Sequence, residues 1–500
     1  MISQVYQRVF HGKLKERQSS LMKLRDILSG IEVLSSDVDF DTEVSGVECD
    51  SRKVGKDTVF VAIRGYETDG NKYIKSAFEN GACAFITDKK DAPGKNKILV
   101  KDARRALASA AKNFYSNPAR DMKMIGITGT NGKTTVTYLI KRVLEENGAV
   151  CGLIGTNQNM IGETVLPTER TTPESHELWA LFAKMRDEGC THVIMEVSSH
   201  SLELSRVFGI EYDVGAFTNL TQDHLDFHKT MEKYEAAKKK LFEQSKVAVI
   251  NYDDEAGRRM AQGVPCRAIT FSAKDNSADY VAKNIRTKAA SVEFELVGID
   301  TIGRIEMNIP GKFSVYNAMC ASSVLLSLGL TLPQISVALR GIEGVKGRAE
   351  VVPTDTDFTV MIDYAHSPDG LENILKTVRE IAEGRVIAVF GCGGDRDATK
   401  RPKMGRIAAE YADIVIVTSD NPRTENPDAI IDDIIPGIEG VTSDYERVTD
   451  RREAIFRALS IAQKGDIVVL AGKGHETYQE IDHIKHHMDE REIVNEYFGR

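Results

Sequence analysis

Residues 123–147 read KMIGITGTNGKTTVTYLIKRVLEEN, and this stretch decides how the rest of the chain is interpreted. Its first six residues, Lys123–Thr128, form a short apolar run that is typical of a buried strand. Asn147-Gly148 at its end predicts a left-handed helix cap. Between them, apolar residues recur at the spacing of one helix face: Val136, Leu139, Ile140, Val143 and Leu144.

The loop between this strand and helix, Gly129–Thr135, has the composition that a phosphate group requires. Glycines let backbone N–H groups point inward, and the helix N-terminus adds partial positive charge. Lys133 would reach the terminal phosphates and Thr134 would bind Mg²⁺. The common phosphate-loop spacing needs glycine where Ile127 stands, so the loop indicates a subclass distinct from switch GTPases. A strand, loop and helix formed by chance is the alternative interpretation.

Composition limits the possible classes of protein. A length of 500 residues predicts about three domains, and an apolar content of 42% is enough for folded cores. The net charge of −9 argues against nucleic acid or a membrane surface as the main partner. The seven cysteines form no C-x-x-C pair, so neither zinc nor disulfides are indicated. Residues 1–20 lack an apolar leader core and no run reaches transmembrane length, so we expect a cytoplasmic protein without membrane insertion.

Alternating strand and helix patterns predict an α/β protein of three domains. Residues 1–122 form a small α/β domain, and residues 123–347 form a central domain with a mainly parallel sheet around the phosphate loop. Residues 348–500 form a second doubly wound, Rossmann-like domain. Strands are predicted at residues 59–63, 82–88, 97–100, 123–128, 191–197, 214–218, 246–251, 267–272, 358–364, 385–390, 413–418 and 466–470.

Polar side chains follow several predicted strands of the central domain, where ligands of parallel sheets collect. Glu196 ends an apolar run and offers the hard oxygen ligand that Mg²⁺ prefers. His224 is a second candidate ligand, although a structural histidine is an equal alternative. Hydroxyls and a guanidinium suit an anionic or sugar-bearing substrate, although each is also a turn or cap signal: Thr171, Thr172, Ser198 and Arg206.

The loops of the C-terminal domain carry a second group of candidates. Asp420-Asn421-Pro422-Arg423 follows a predicted strand, and the proline stiffens a turn that presents Arg423 as a carboxylate fork. Arg396 follows a neighbouring strand and would add a second positive charge. Gly472–Glu476 adds backbone donors and an acid that can hold an ammonium group. A carboxylate pocket and ordinary surface ion pairs are both open at this point.

The order of these motifs resembles one enzyme family. GITGTNGKTT, ERTTPES, MEVSSHSLELSRV, FTNLTQDHLDFH and YEAAKKKLF follow one another as in the Mur ligase family. The later pieces, GRAE, DYAHSPDG, FGCGGDRD, DNPR and GKGHE, resemble the member that adds the third amino acid of the stem peptide. DNPR resembles the type that adds meso-2,6-diaminopimelate.

This resemblance implies an ATP-dependent amide ligase of bacterial peptidoglycan precursor synthesis. ATP would phosphorylate the D-glutamate side chain of a UDP-N-acetylmuramoyl-dipeptide, and the amine of meso-diaminopimelate would attack the acyl phosphate. It implies Mg²⁺ as cofactor and ATP as co-substrate, a UDP-binding N-terminal domain, a cytoplasmic location and a monomer.

The resemblance also implies residue roles by matching positions. Lys238, in YEAAK, occupies the place of a carbamylated lysine, an N6-carboxylysine. The catalytic set is then Lys133, Glu196, His224 and Lys238. Mg²⁺ would be bound by Thr134, Glu196, His224 and carbamylated Lys238. ATP would contact Gly129, Thr130, Asn131, Gly132, Lys133, Thr134, Thr135, Asn317 and Arg348. The UDP-sugar peptide would contact Ser51, Thr171, Thr172, Ser198 and Arg206. Diaminopimelate would contact Arg396, Asp420, Asn421, Pro422, Arg423, Gly472 and Glu476.

Three alternative functions remain at this stage. Folylpolyglutamate synthase and a ligase for another stem position belong to the same superfamily, and the DNPR and GKGHE loops disfavour both. A nucleotide-dependent switch that hydrolyses ATP without ligation is the alternative from another class.

Overall fold

The computed structural model describes residues 21–500, apart from residues 66–67, 169, 289–290, 343 and 443 and the side chain of Asp226. The expectation about a leader segment concerns residues 1–20 and lies outside the described residues. Contacts between Cα atoms divide the chain into two compact units. The first comprises Met1–Gly126, Ala149–Asp213 and Ala236–Lys246, and the second comprises Ile127–Gly148, Val214–Glu235 and Val247–Arg500. The predicted boundaries near residues 122 and 347 stay predictions.

Strands recur along the whole described chain and include every predicted one, within a few residues at each end. In chain order they are β1 (Met22–Lys23), β2 (Val33–Ser36), β3 (Glu43–Val44), β4 (Gly46–Glu48), β5 (Thr58–Val61), β6 (Ala82–Thr87), β7 (Lys97–Val100), β8 (Lys123–Thr128), β9 (Cys151–Ile154), β10 (Asn159–Ile161), β11 (Thr164–Leu166), β12 (His192–Glu196), β13 (Tyr212–Phe217), β14 (Ser245–Asn251), β15 (Arg267–Ser272), β16 (Tyr280–Thr287), β17 (Val292–Gly298), β18 (Thr301–Met307), β19 (Glu350–Val352), β20 (Thr359–Asp363), β21 (Val386–Phe390), β22 (Ile414–Val417), β23 (Tyr445–Arg447), β24 (Ile467–Ala471), β25 (Tyr478–Ile481) and β26 (Ile484–His487).

Helices alternate with these strands. They are α1 (Leu24–Ile27), α2 (Ile74–Glu79), α3 (Ala103–Phe114), α4 (Lys133–Glu146), α5 (Ser175–Asp187), α6 (Ser199–Glu203), α7 (Leu225–His228), α8 (Met231–Lys239), α9 (Glu255–Ala261), α10 (Lys312–Ser327), α11 (Leu332–Arg340), α12 (Pro368–Ile381), α13 (Arg401–Tyr411), α14 (Pro427–Glu439), α15 (Arg451–Ile461) and α16 (Glu490–Tyr497). Within the described residues, no helix has the length and apolar content that crossing a bilayer requires.

The N-terminal part of the first unit is a small α/β layer, as predicted. Its sheet has the strand order β2-β7-β6-β5-β4, in which β4 to β7 run parallel and β2 is antiparallel to β7. Helix α3 buries Ala106, Leu107 and Ala110 in the same apolar cluster as the strands. The helix begins after Asp102, whose carboxylate accepts two backbone N–H groups of the first turn and so satisfies groups left unpaired at a helix start.

A second group of strands in the first unit carries Glu196 at its edge. Strands β9 and β12 pair in parallel, with Cys151 opposite His192. The antiparallel strands β10 and β11 extend this group, and the sequence patterns did not predict them. Trp179 and Phe182 of α5 fill the core beneath, with ring centroids 5.5 Å apart. Because β12 ends at Glu196, this carboxylate lies at the carboxyl end of a buried strand, as predicted.

The second unit begins with the phosphate loop and α4. Gly132 precedes the helix at φ +85°, and Gly148 follows it at φ +85°, which confirms the predicted left-handed cap. Helix α10 is buried on nearly all sides and packs against α4. Strands β14, β15 and β16 run parallel, whereas β16, β17 and β18 are antiparallel. The mainly parallel pattern therefore gives way to an antiparallel meander.

The C-terminal sheet has the strand order β19-β20-β24-β21-β22-β23. Its last five strands run parallel and β19 is antiparallel. Alternate residues of β21 point to opposite faces: Val386 and Phe390 pack in the cluster formed with α12, α13 and α14, whereas Ile387 packs in the cluster formed with α15 and α16. Helices thus cover both faces, which confirms the predicted doubly wound arrangement and collects the loops after the strands at one edge.

Candidate functional site

The phosphate loop of the second unit is built on two glycines that no other residue can replace without displacement. Gly129 has φ +148°, and a Cβ atom there would overlap the Thr218 hydroxyl. Gly132 has φ +85°, and its Cβ would overlap the side-chain oxygen of Asn317. Glycine is therefore required for close approach as well as for backbone conformation. The predicted ATP residues Gly132 and Asn317 are direct neighbours.

Lys133, at the first position of α4, folds back over the loop. Its Nζ donates to the carbonyl oxygens of Gly129 at 3.0 Å and Thr130 at 2.7 Å. The ammonium group is thus held within the loop that the sequence assigns to phosphates. Because the ammonium group is already positioned in the loop, it can contact bound phosphate oxygens with little further ordering.

A cavity of about 490 Å³ adjoins this loop within the second unit. Five of the predicted ATP residues line it: Asn131, Gly132, Thr135, Asn317 and Arg348. The guanidinium of Arg348 stacks 4.8 Å from the Tyr364 ring centroid, and its Nη2 donates to the Thr134 hydroxyl at 3.1 Å. The structure therefore brings Arg348 to the loop, although the two are 214 residues apart in sequence.

Several cavity residues were not predicted from sequence. The Tyr316 hydroxyl donates to Asp253 Oδ2 at 2.9 Å, and burial, together with this carboxylate, raises the pKa of Tyr316. Asp363, at the end of β20, accepts from the backbone N–H of Ala349 at 2.7 Å, and burial raises its pKa. Asp363 opens the DYAHSPDG motif, and the sequence assigned no role to Asp253 or Tyr316, so only tertiary structure brings these side chains to the cavity.

Four predicted substrate residues of the first unit form one hydroxyl-rich cluster around Glu196. The Thr172 hydroxyl donates to the Glu196 backbone oxygen at 2.9 Å, and the Ser198 backbone N–H donates to that hydroxyl at 3.1 Å. Arg206 Nη1 donates to the Thr172 backbone oxygen at 3.3 Å. Thr171 lies 3.0 Å from the hydroxyl of Thr156, so it joins the same cluster.

Glu196 is only 1% exposed, and its carboxylate is held by a residue that was not predicted. The Thr156 backbone N–H donates to Glu196 Oε1 at 2.9 Å, and the Thr156 hydroxyl lies 2.9 Å from Oε2. These donors fix the carboxylate at the strand end. A fixed pair of carboxylate oxygens fits the ligand type that Mg²⁺ prefers.

A buried charge cluster lies beside these hydroxyls. Glu174 Oε2 is 3.2 Å from Arg206 Nε and 3.7 Å from Arg104 Nη1. Burial lowers the pKa of Arg206, against the opposing effect of Glu174. Arg104 was not predicted, because an arginine on a helix ordinarily faces solvent. Two arginines thus contact one carboxylate beside the predicted UDP-sugar residues.

Ser51 lies apart from this cluster in the first unit. It is 7% exposed, and its backbone oxygen accepts from Asn80 Nδ2 at 2.8 Å. Nearby, His176 Nε2 lies 2.9 Å from Glu48 Oε1, and His176 Nδ1 lies 3.7 Å from the Cys49 sulfur. These three side chains are of the types that can bind zinc. However, Glu48 Oε1 already accepts the backbone N–H groups of Cys49 and Asp50. We therefore interpret these three side chains as a structural hydrogen-bonded cluster, called the His176 cluster below.

The remaining predicted metal ligands are divided between the two units. Lys238, on α8, belongs to the first and is 1% exposed. Thr134 and His224 belong to the second. His224 has φ +51°, its ring packs 6.1 Å from Tyr234, and its Nε2 lies 3.4 Å from Asp223 Oδ2. The metal roles of these residues stay predictions.

The loops of the C-terminal sheet bring most predicted diaminopimelate residues together. Asn421 Nδ2 donates to Glu476 Oε2 at 2.9 Å. A Cβ on Gly472 would lie 2.6 Å from Asp420 Oδ2, so glycine lets these two loops approach. Asp420 Oδ2 is buried and accepts no hydrogen bond from the described residues. Pro422 is buried between Asn421 and Arg423, as a stiff turn residue would be.

The two predicted arginines of this region differ in environment. Arg423 is partly buried at φ +52°, and its Nη1 donates to the Gly394 oxygen at 2.7 Å. Its Nε lies 3.3 Å from Glu480 Oε2. Arg396 is exposed and donates to the backbone oxygen of the adjacent Asp395 at 3.1 Å. The contacts of the described residues therefore place Arg423, but not Arg396, within the loop cluster.

Lys473 is the residue of this cluster that sequence reasoning missed. It is fully buried, and its Nζ donates to Asn421 Oδ1 at 2.7 Å and to Glu476 Oε2 at 2.8 Å. A lysine between two glycines is normally expected in solvent, so no local signal identified it. Beneath the pocket, Arg451 and Glu490 form another ion pair at 2.8 Å, and this one is fully buried.

Family models match most of the described chain. The Mur ligase family catalytic domain model matches residues 43–115, the Mur ligase middle domain model matches residues 127–325, and the Mur ligase glutamate ligase domain model matches residues 347–474. The chain belongs to the Mur ligase family. The family resemblance and the three-domain architecture that the sequence predicted are thereby confirmed.

Individual Mur ligases align over nearly the whole chain. The UDP-N-acetylmuramoyl-L-alanyl-D-glutamate–2,6-diaminopimelate ligase of Clostridioides difficile (strain 630) is 46% identical over 96% of this chain and 100% of its own. The ligase of the same name from Caldanaerobacter subterraneus subsp. tengcongensis is 49% identical over 95% and 98%. A solved structure of a ligase of that name has a TM-score of 0.71 at 34% identity, covering 96% of this chain and 99% of its own. MurF from Acinetobacter baumannii, at 16% identity and a TM-score of 0.65 with 96% and 99% coverage, shares the fold.

Proposed function

We propose that this Mur ligase is the ATP-dependent amide ligase that joins meso-2,6-diaminopimelate to UDP-N-acetylmuramoyl-L-alanyl-D-glutamate in peptidoglycan precursor synthesis. The observation that carries the proposal is the 46% identity to a ligase of that name over 96% of this chain and all of the relative. The pocket of Asp420, Asn421, Arg423 and Glu476 agrees with it, because the Arg423 guanidinium matches a carboxylate and the Asp420 carboxylate, whose Oδ2 accepts no hydrogen bond from the described residues, matches an amine.

The chemistry follows from the reactivity of a carboxylate. The side-chain carboxylate of D-glutamate is a poor electrophile, so its oxygen first takes the γ-phosphoryl group of ATP and ADP is released. The unprotonated amine of diaminopimelate then attacks the acyl carbon and forms a tetrahedral intermediate. When that intermediate collapses, the C–N bond remains, the C–O bond to phosphate breaks, and the amine gives up a proton.

Residues of the chain have separate tasks in this scheme. The loop Gly129–Thr135, which includes Lys133, would hold the ATP phosphates. Asn317 and Arg348 would contact the nucleoside. Arg423 would bind the carboxylate at the distal stereocentre of diaminopimelate, which lysine lacks. Alignment of the reacting atoms then provides much of the acceleration.

The UDP-sugar peptide would contact the first unit. Its proposed partners are Ser51, Thr171, Thr172, Ser198 and Arg206. The cluster of four around Glu196 supports this assignment, since hydroxyls and an arginine match sugar and carboxylate oxygens.

Mg²⁺ is the cofactor that this reaction implies, and it would neutralise phosphate charge. Oxygen donors at Thr134 and Glu196 fit its preference, and His224 would be a further ligand. Lys238 would contribute only as its carbamate, since an ammonium group repels a cation.

A phosphate-release assay across candidate amino acids tests the proposal. Full-length protein, Mg²⁺, ATP and bicarbonate are combined with the UDP-dipeptide and either meso-diaminopimelate, its other stereoisomers or L-lysine. We expect phosphate release only with both co-substrates, and peptide product chiefly with the meso isomer. Robust release without an amino acid would indicate an ATPase instead, and equal coupling of lysine would refute the selectivity. Coupling to a folate or to another stem peptide would identify a different ligase.

A further inference from the structure

Asp369, the second residue of α12, lines the same cavity as Asn131 and Arg348, although no predicted role includes it. We propose that Asp369 is a positioning residue that holds the phosphate loop in its nucleotide-binding shape. This inference rests on the proposed ATP-dependent function and adds a residue to it.

One oxygen of Asp369 collects three side-chain donors. Its Oδ2 accepts from the Asn131 side-chain amide, from the Thr221 hydroxyl at 2.9 Å, and from Asn373 Nδ2 at 3.2 Å. Asn131 is the middle of the phosphate loop, and Thr221 belongs to the segment after β13. A single carboxylate therefore joins the loop, a neighbouring strand end and a helix 238 residues further along the chain.

The backbone of Asn131 is anchored from the opposite side. Its N–H donates to Asn219 Oδ1 at 2.9 Å, and its carbonyl oxygen accepts from the Thr218 hydroxyl at 2.6 Å. Asp369 supplies the contact to the side chain. Removing the carboxylate leaves that amide without this acceptor, so the loop gains freedom that phosphate binding must then remove.

A negative charge near a helix N-terminus is stabilising in itself, and this alternative role needs a control. Asp428 is such a control because it also follows a proline at the first position of a helix, α14. Its carboxylate contacts Arg447 at 3.0 Å and the Thr449 hydroxyl at 2.6 Å, and among the described residues it forms no hydrogen bond or ion pair with the phosphate loop. A helix-terminal effect would appear in both aspartates, whereas loop positioning would appear in Asp369 alone.

The experiment measures binding of a non-hydrolysable ATP analogue with Mg²⁺ to the full-length protein by calorimetry. We expect D369L to weaken binding roughly tenfold, because a hydrogen bond to a charged group is lost. D369N should lose much less, since its amide oxygen still accepts. D428L should bind the analogue as the wild type does, and affinity for the UDP-dipeptide should be unchanged in every variant.

Partner substitution keeps the inference testable if D369L does not fold. D369A and N131A should each weaken analogue binding by a similar factor, and N131A/D369A should bind no more weakly than either single variant. Unchanged affinity in D369L, an equal loss in D428L or additive losses in the double variant would overturn the inference. If the wild type ligates diaminopimelate and D369L binds the ATP analogue with unchanged affinity, the inference about Asp369 fails and the proposed function stands. A wild type that binds no analogue would remove the proposed function as well.

Discussion

At the scale of single residues, the proposed role of Arg423 is to distinguish two amines that differ by one carboxylate. Its left-handed backbone and its contacts with Gly394 and Glu480 fix the guanidinium. We expect Arg423→Ala to raise the apparent KM for diaminopimelate roughly 10- to 100-fold, because charged hydrogen bonds contribute about 1.5–3 kcal/mol. Steady-state kinetics with varied diaminopimelate and varied ATP measure this, and the KM for ATP should not change.

Arg406→Ala is the matched control for this substitution. Arg406 is an exposed arginine of α13 that pairs with Glu410 within the same domain. It should leave both KM values unchanged. An unaltered KM for diaminopimelate in Arg423→Ala would remove Arg423 from the pocket.

The His176 cluster of Glu48, Cys49 and His176 predicts that the free energy of unfolding depends on pH. Burial lowers the pKa of His176, but hydrogen bonds to Cys49 and Glu48 outweigh it and hold the pKa well above 6.5. The stability from the charged imidazole is therefore fully present below pH 6.5 and is lost as pH rises through the folded-state pKa. We expect His176→Gln to lower the free energy of unfolding by about 2 kcal/mol near pH 5.5 and by less near pH 9. Urea unfolding at both pH values measures the difference.

His487 provides the comparison for this experiment. It also lies near a carboxylate, Glu492, which raises its pKa, but the pair is exposed. His487→Gln should change the unfolding free energy little at either pH. A His176→Gln effect that is equal at both pH values would show that packing, and not charge, is lost.

Single residues also mark the limit of what the sequence predicts. Thr171, Thr172, Ser198 and Arg206 were predicted by motif, and the structure brings them together. Thr156, Asp369 and Lys473 were missed, because each acquires its role from residues distant in sequence. A threonine in a loop, an aspartate near a helix start and a lysine between glycines all have ordinary solvent-exposed interpretations.

At the scale of elements, helix α4 has a glycine with φ +85° at each end, and only one of them is crowded. A Cβ on Gly132 would overlap Asn317, whereas a Cβ on Gly148 would meet no atom within 4 Å. Gly132→Ala should weaken binding of the Mg²⁺–ATP analogue at least roughly tenfold, because the loop and Asn317 must move apart. Calorimetry and urea unfolding measure the two effects separately.

Gly148→Ala is the internal control, since its backbone strain is the same and its surroundings are open. It should cost about 1 kcal/mol of stability and leave nucleotide affinity unchanged. Equal losses of affinity in both variants would attribute the effect to strain in α4, and the crowding of the loop would be irrelevant.

Most strands buried on both faces were predicted, because their apolar runs are short and bounded by polar loops, although the buried strand β9 was missed. The meander β16–β18 was missed. Its strands have many exposed residues, such as Ile302 of β18 at 74%, so neither a continuous apolar run nor a clean alternation identified them. Pairing between neighbouring strands, which the sequence does not display, defines this element.

At the scale of the whole molecule, substrates held by different predicted domains must meet at one reacting centre, so we expect the domains to move on binding. Small-angle scattering should show a smaller radius of gyration with the ATP analogue, Mg²⁺ and UDP-dipeptide present than without them. ADP alone serves as the partial-ligand control. Identical profiles in all conditions would contradict the expected closure. The same measurement at several concentrations tests the predicted monomer.

Lys473 has a consequence for inhibitor chemistry. Because this internal cation already occupies Glu476 Oε2, much of the attraction that the acid could offer to a ligand's amine is cancelled inside the protein. Recognition should then depend more on the two acid groups of a compound than on its nitrogen. Pimelate, the seven-carbon diacid without amino groups, should accordingly compete with the natural diamino acid, and a titration in which it fails to compete would show that the amine is indispensable.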